Sequence, residues 1–359
     1  MNLINTIESM KKVFLFVAAV LLCLACNEAG RTVSVTVSNA TSLERSGEMV
    51  EVSMGEVSSK LHLPDTAQIV VVDAEGQQVP YQITSDEKVI FPVTVQANGS
   101  AVYTIKAGIP QECPVKACGR YYPERVDDVA WENDLTAFRA YGPALQETGE
   151  RAFGYDIWTK YNTTEPVVEA RYEGELNPDM KAKIAELGKT DPKAAQELYR
   201  SVSYHVDHGN GLDCYKVGPT LGGGTTALMA GDTIVYPYCY ATQEILDNGP
   251  LRFTVKLVYN PLVVKGDSTI NGKIFVGAAF PTLVKEAKAV LFPEKEKKEL
   301  RGGADGHVLA ISEYEPGADF TYYWGAAWSK ADIKDSAAWN AYMADFAQKV
   351  RNPLTVTVK

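Results

Sequence analysis

The stretch RYYPERVDDVAWENDLTAFRAYGPAL, residues 120–145, consists of short apolar and aromatic runs separated by Pro, Gly, Asn and Asp. Runs of this length that are rich in Val, Ala, Phe, Tyr and Trp predict strands, and the residues between them predict turns. The same pattern continues in ERAFGYDIWTKYN, residues 150–162. We therefore expect a broad antiparallel sandwich from about residue 119 to 260, whose loops and concave face carry the function.

Other parts of the chain extend this mainly β prediction. Residues 31–108 contain alternating segments such as TVSVTVSNA and AVYTIKAG, which predict an N-terminal β-domain over 26–109. Residues 110–359 then form the main sandwich domain. Its Ala-, Lys-, Glu- and Leu-rich stretch near 178–200 predicts a helical insert, and the apolar spacing of residues 339–350 predicts a C-terminal helix.

Composition limits the classes of partner. The chain has 359 residues, 46% of them hydrophobic, and a formal net charge of -10. Because nucleic-acid binding requires a concentrated excess of Lys and Arg, this charge argues against a nucleic-acid partner.

The first residues predict export. Lys11 and Lys12 precede the apolar run VFLFVAAVLLCLA and then Cys26, and this run is too short for a settled membrane helix. Residues 1–25 resemble a lipoprotein signal peptide, although Cys23 stands where a leucine is usual, and an ordinary cleaved signal is the alternative. We expect an outer-membrane lipoprotein that faces the periplasm or the cell surface and meets the membrane only through a lipid anchor at Cys26.

Four cysteines remain in the mature chain: Cys113, Cys118, Cys214 and Cys239. Export permits disulfides, and Cys113 and Cys118 are close enough to close a small loop. Buried thiols fit the spacing equally well. Structural zinc is the weaker interpretation, because no second CxxC motif completes a ligand set.

The stretch SYHVDHGNGLDCYKVGPTLGGG, residues 203–224, is the candidate chemical segment. His205, His208 and Tyr215 are candidate catalytic residues, because a histidine or tyrosine base beside a cation suits proton abstraction next to a carboxylate. A divalent metal at His205 and His208 is a weaker alternative, and otherwise we expect no cofactor. The glycines do not indicate a phosphate loop, since the GKS or GKT ending is absent.

Aromatic and basic residues cluster in the same region. Flat rings stack on sugars, and guanidinium groups bind carboxylates through paired hydrogen bonds. Each of these side chains is as readily explained by burial or by a solvated ion pair. The candidate substrate-binding residues are Arg139, Arg151, Tyr155, Trp158, Lys160 and Lys216.

Four segments carry a family resemblance: AYGPALQETGERAFGYDIWTK, the histidine-bearing stretch above, EILDNGPLRFTVKL and DFTYYWGAAWSK. Together they resemble domain of unknown function 4861, a family of exported Bacteroidetes lipoproteins encoded with polysaccharide-degrading enzymes. The resemblance implies a sandwich similar to galactose mutarotase and some polysaccharide lyases, and a dehydratase acting on terminal uronic acids. It also implies that this chain lacks several tens of residues of sheet near 260–272.

The resulting functional hypothesis is β-elimination on a uronic acid of an acidic oligosaccharide or polysaccharide, by a dehydratase or lyase. Arg139, Arg151 or Lys216 would neutralise the carboxylate, while His208 and Tyr215 would act as base and acid. A non-catalytic carbohydrate-binding lipoprotein is the alternative from another class. Hydrolysis by paired carboxylates is a third option, with Asp156, Glu169 and Asp213 as candidates.

Overall fold

The structure is a computed structural model that describes residues 31–64, 67–214, 216–260, 262–264, 268–270, 286–301, 304–312, 319, 321–324 and 333–359. The predicted signal peptide, the lipid-anchor residue Cys26 and the candidate acid Tyr215 lie outside the described residues. The chain divides into two compact units. Unit 1 comprises residues 1–113 and 354–359, and unit 2 comprises residues 114–353.

Unit 1 contains two antiparallel sheets. Its elements are β1 (Thr32–Ser38), β2 (Arg45–Ser53), α1 (Met54–Leu61), β3 (Ile69–Val72), β4 (Gln78–Val79), β5 (Gln82–Ile83), β6 (Lys88–Val95), β7 (Ser100–Ala107) and β20 (Thr355–Val358). One sheet has the strand order β20-β1-β7-β3-β4 and the other has the order β2-β6-β5.

The inward side chains of both sheets form one apolar core. Val33, Val35 and Val37 alternate along β1 and are fully buried, because successive strand residues point to opposite faces. They pack with residues such as Phe91 of β6 and Ile105 of β7. The last strand, β20, pairs with β1, so the C-terminal residues belong to unit 1 although the sequence analysis assigned all of 110–359 to the main domain.

Unit 2 contains shorter strands and most of the helices. Its strands are β8 (Cys118–Tyr122), β9 (Asp128–Glu132), β10 (Thr136–Ala140), β11 (Asp156–Thr159), β12 (Leu228–Ala230), β13 (Thr233–Val235), β14 (Tyr240–Asn248), β15 (Phe253–Tyr259), β16 (Leu262–Val264), β17 (Ser268–Ile270), β18 (Glu286–Leu291) and β19 (Gly306–Ile311). Its helices are α2 (Pro143–Glu147), α3 (Val168–Leu176), α4 (Pro178–Thr190), α5 (Pro192–Val202), α6 (Glu294–Leu300) and α7 (Ser336–Arg351).

A four-stranded antiparallel sheet, in the order β11-β10-β9-β8, is the centre of unit 2. One of its faces packs on the β14–β15 hairpin through Val129, Ala140 and Tyr155. The other face carries Trp158, which packs against Tyr172 of α3. The predicted mainly β fold with antiparallel sheets is thereby confirmed in its coarse form.

The helical insert occupies the stretch where the sequence predicted it. Asn177 and Asp191 are the N-cap residues that precede α4 and α5. Their side chains accept hydrogen bonds from the backbone N–H groups three residues later. At the C-terminus, the rings of Trp339, Tyr342 and Phe346 follow one another along α7 with centroids 5.6 and 6.2 Å apart. Contacts between neighbouring rings along the helix therefore account for the spacing of these aromatic residues in the sequence.

Two further findings concern the cysteines and the membrane. Among the described residues, Cys113, Cys118, Cys214 and Cys239 form no disulfide, and none of the four is buried, so the predicted burial of the thiols is wrong. Within the same part of the chain, no helix combines the length and the apolar character that crossing a bilayer requires.

Candidate functional site

A buried guanidinium surrounded by carboxylates lies on the helix-covered face of the four-stranded sheet. Arg139 of β10 is 3% exposed. Its Nη2 donates to Asp213 Oδ2 at 2.8 Å and also to Asp156, while its Nη1 lies 3.8 Å from Asp128 Oδ2. We call these four residues the buried charge centre.

Strand register brings the buried charge centre together. Arg139 pairs with Asp156 across β10 and β11, and with Ala130 across β10 and β9. Residues two apart on a strand point to the same face, so Asp128 projects on the same side as Ala130. Asp213 joins them because its backbone bridges to Trp158 of β11.

Burial changes the proton affinity of one carboxylate. Removal from water raises the pKa of Asp128 to about 6, although Arg139, Arg125 and a hydrogen bond from Tyr172 act in the opposite direction. Tyr172 Oη donates to Asp128 Oδ2 at 3.0 Å. The centre therefore contains one carboxyl group, that of Asp128, that binds a proton more tightly than an aspartate in water does.

Tyr204 connects the buried charge centre with the surface. Its hydroxyl oxygen accepts hydrogen bonds from Arg125 Nε at 3.3 Å and from Arg139 Nη1 at 3.5 Å. Its ring stacks on Trp158 and contacts the ring of His205, with centroids 4.9 and 4.6 Å apart. The Arg125 side chain is 24% exposed and lies 4.0 Å from Asp128 Oδ2, so it presents a cation at the edge of the site.

His205 is the accessible member of this arrangement. Its side chain is 49% exposed, and Nδ1 lies 3.4 Å from Asp213 Oδ2. A carboxylate at Nδ1 favours the tautomer in which Nδ1 carries the proton, and it orients the ring. Nε2 is then the basic atom. His205 contacts Asp213, and Asp213 contacts the buried Arg139. The imidazole thus resembles a general base that a buried carboxylate orients.

His208, which the sequence analysis favoured as the base, has a different environment. Its Nε2 lies 2.9 Å from the backbone oxygen of Ser203, and the residue is exposed. The two histidines therefore face different partners. Among the described residues, no three His, Cys, Asp or Glu side chains converge as a metal site.

The predicted substrate-binding residues divide into two groups. Tyr155, Trp158 and Lys160 are 1–3% exposed, like Arg139. Lys160 Nζ donates to Glu132 Oε2 at 2.9 Å, and Tyr155 Oη lies 3.0 Å from Tyr259 Oη. Enclosed in this way, these side chains present no surface to a ligand in this conformation, so we assign them a supporting role. Their direct contact with a saccharide stays a prediction.

The second group is accessible. Arg151 and Lys216 are exposed, and Lys216 Nζ lies 4.0 Å from Glu150 Oε1. Within the described residues, neither cation contacts the buried charge centre. The partly exposed cation at its edge is Arg125, next to Tyr204.

The glycines of the candidate segment serve close packing. A Cβ atom on Gly222, whose φ is +55°, would lie 2.2 Å from the backbone oxygen of Tyr155, and one on Gly224 would overlap Trp324. A glycine-rich run at this place lets the chain pass directly over β11. This explains the composition without a phosphate ligand.

Sequence reasoning missed Arg125, Asp128 and Tyr204. A usable signal was present, since Asp128, Glu132 and Arg139 occupy the buried face of predicted strands where apolar residues are usual. Charged residues at inward strand positions indicate either an internal ion network or a chemical site.

Comparison with known proteins gives the family. The model for the domain of unknown function DUF4861 matches residues 37–273 and 266–356. The chain belongs to the DUF4861 family. The two matches meet near residues 266–273, which is where the resemblance placed a missing portion of sheet.

A curated relative is "Uncharacterized protein P7" of Formosa agariphila. It is 23% identical over 411 aligned residues, covering 96% of this chain and 98% of the relative. Because the alignment is longer than the 359 residues of this chain, at least 52 positions (411 minus 359) are gaps in this chain. At least 52 residues of that protein therefore have no counterpart in this chain.

Proposed function

We propose that this protein is an exported carbohydrate-active enzyme that performs β-elimination on a uronic acid of an oligosaccharide. The observation that supports the proposal most strongly is the half-exposed imidazole of His205, 3.4 Å from the buried Asp213 that Arg139 holds. Lipid anchoring at Cys26, a link to polysaccharide utilisation and a sandwich similar to galactose mutarotase are parts of the same proposal.

The chemistry requires a base and a cation. A uronic acid's C5 proton becomes acidic enough to remove when a cation neutralises the neighbouring carboxylate and stabilises the enediolate. In the proposal Arg125 supplies this cation, and His205 Nε2 takes the proton. The electrons of the C5–H bond form the C4=C5 double bond, and the C4–O bond breaks.

The leaving oxygen then needs a proton. It departs from C4 as water in a dehydratase, or as the hydroxyl of the shortened saccharide in a lyase. In the proposal Tyr215 donates this proton. Tyr204 is 2% exposed and its hydroxyl oxygen accepts hydrogen bonds from Arg125 and Arg139, so we assign it the role of positioning these two cations.

The test is incubation with oligosaccharides that end in glucuronate, galacturonate or mannuronate. Ultraviolet absorbance from the new conjugated double bond is expected, without chain shortening for a dehydratase and with shortening for a lyase. New reducing ends without absorbance would identify a hydrolase and overturn the proposal. Binding with neither change would identify the non-catalytic carbohydrate-binding alternative.

Two matched variants assign the base. His205→Gln is expected to lower the elimination rate by about 1,000-fold, within the usual range for a general base. His208→Gln removes an imidazole three residues away and is expected to change the rate less than about threefold, because its ring contacts a backbone oxygen of Ser203. Equal losses in the two variants would refute the assignment.

A further inference from the structure

Arg171 of α3 differs from the other buried cations of this protein. Arg45, Lys160 and Arg139 are buried, and each has a carboxylate oxygen within 2.9 Å. Arg171 is also buried, at 9% exposed, but within the described residues it forms no ion pair. A buried charge without a direct ion pair is costly, so an anion that reached Arg171 would gain a strong contact.

The hydrogen bonding of Arg171 is incomplete. Nη2 donates to the backbone oxygen of Asn210 at 3.1 Å and, more weakly, to Asn210 Oδ1 and to the backbone oxygen of Thr159, both at 3.4 Å. Nη1 is buried and has no hydrogen-bond partner among the described residues. Burial lowers the pKa of Arg171, while the charges of Glu132, Asp207 and Asp213 oppose this. A planar guanidinium with a vacant donor suits a carboxylate, which accepts two parallel hydrogen bonds.

Arg171 belongs to the same aromatic cluster as the candidate site. The guanidinium carbons of Arg171 and Arg139 lie 5.7 and 5.2 Å from the Trp158 ring centre. Tyr204, which contacts His205, stacks on the same indole. Arg171 and the ring that contacts His205 therefore share Trp158 as a neighbour.

A self-contained turn, residues 207–211, covers Arg171. Asp207 Oδ1 accepts hydrogen bonds from the backbone N–H groups of Gly209 and Gly211, and its Oδ2 accepts one from Tyr161 Oη. Both glycines have positive φ, +96° and +103°. Since Asn210 between them binds Arg171, displacement of the turn would release Nη2 from Asn210.

We propose that Arg171 is a second anion-binding residue of the saccharide site and that it binds after the turn 207–211 moves. The preferred ligand is then an oligosaccharide with two anionic groups on neighbouring sugars. Arg125 contacts the carboxylate of the reacting sugar and Arg171 contacts the other anion. This inference rests on the proposed function for the position of the first sugar, but it does not require catalysis.

The test compares matched uronic-acid disaccharides carrying two carboxylates with the same disaccharides after methyl esterification of one carboxylate. Titration calorimetry on the full protein is expected to show at least about tenfold tighter binding of the dianion, as for a charge-assisted contact. Arg171→Gln is expected to abolish this preference. Arg200→Gln, which removes an exposed arginine of the nearby α5, is expected to keep it.

Further readouts separate ligand contact from a purely structural role. If Arg171→Gln fails to fold by circular dichroism, Arg171→Lys keeps the charge without the forked donors and is expected to lose part of the preference. In the wild type, hydrogen exchange at the Gly209 and Gly211 amides is expected to speed up on binding of the dianion. No dianion preference for any disaccharide tested, or an unchanged preference in a folded Arg171 variant, would overturn the inference.

The same data distinguish the two proposals. Dianion preference without unsaturated product would refute the catalytic proposal and retain the role of Arg171. Unsaturated product with equal affinity for both ligands would retain the catalytic proposal and refute the role of Arg171.

Discussion

The buried residues of the two units differ in chemical character. Unit 1 buries alternating valines on two facing sheets, together with residues such as Phe91 and Ile105. Its buried cation, Arg45, is bound by Glu48 at 2.6 Å. Unit 2 buries an ion network on one face of a single sheet, centred on Arg139 with Asp128, Asp156 and Asp213.

This difference favours unit 2 as the location of the proposed chemistry. An apolar core stabilises a fold through the removal of area from water, whereas enclosed charges cost desolvation that their attraction only partly offsets. Unit 2 retains its charges at the place where an accessible histidine meets them. We therefore locate function in unit 2.

The largest expected effect comes from removing the central cation. Arg139→Met would leave three carboxylates without their shared partner, and we expect a loss of about 3–5 kcal/mol in the free energy of unfolding of unit 2. Every tryptophan of the chain lies within residues 114–353, so urea unfolding followed by tryptophan fluorescence reports on this unit. A loss below about 1 kcal/mol would show that the centre is not a tightly coupled network.

A smaller, pH-dependent effect is expected at Asp128. Its pKa of about 6 in the folded state exceeds the ordinary value of 3.8, so the folded state binds the proton more tightly than the unfolded state does. Stability contributed by this group is therefore present at low pH and is lost as the pH rises from about 4 to about 6. Relative to Asp128→Asn, the wild type should lose about 3 kcal/mol across this window.

The measurement is urea unfolding of both proteins at intervals from pH 4 to pH 7. The variant serves as the reference because every other titrating group is shared. A difference in unfolding free energy that does not change with pH would contradict the buried, proton-retaining carboxyl described here.

The smallest effect is expected in unit 1. Ile105→Val removes one methylene group from a fully buried position, and we expect a loss of about 0.5–1.5 kcal/mol that is independent of pH. Far-ultraviolet circular dichroism during urea unfolding measures it. A loss as large as that of Arg139→Met would remove the contrast between the two cores.

Much of the fold followed from periodicity. The alternation of Val33, Val35 and Val37, and the short runs within 120–145, predicted strands because side-chain direction has a period of two. The insert followed from its Ala-, Lys-, Glu- and Leu-rich composition, and the structure adds the caps Asn177 and Asp191. The pairing of β20 with β1 did not follow, because strands far apart in sequence carry no local signal of their partners.

The candidate site was predicted only in part. The segment containing His205 and Asp213 was identified, but His208 was preferred as the base. The sequence offers no means to distinguish two histidines that are three residues apart. Which imidazole faces a carboxylate is set by the bridge between Asp213 and Trp158, a contact across more than fifty residues. Burial of Lys160 beside Glu132 likewise depends on sheet register.

The most direct test of the account is the elimination rate of Asp213→Asn beside the wild type. An asparagine keeps the size of the side chain but removes the charge that orients His205. The account predicts that the wild type forms an unsaturated product, and that the variant is at least about 100-fold slower while its affinity for the saccharide changes less than about threefold. A wild type without unsaturated product, or a variant as fast as the wild type, would contradict the central claim.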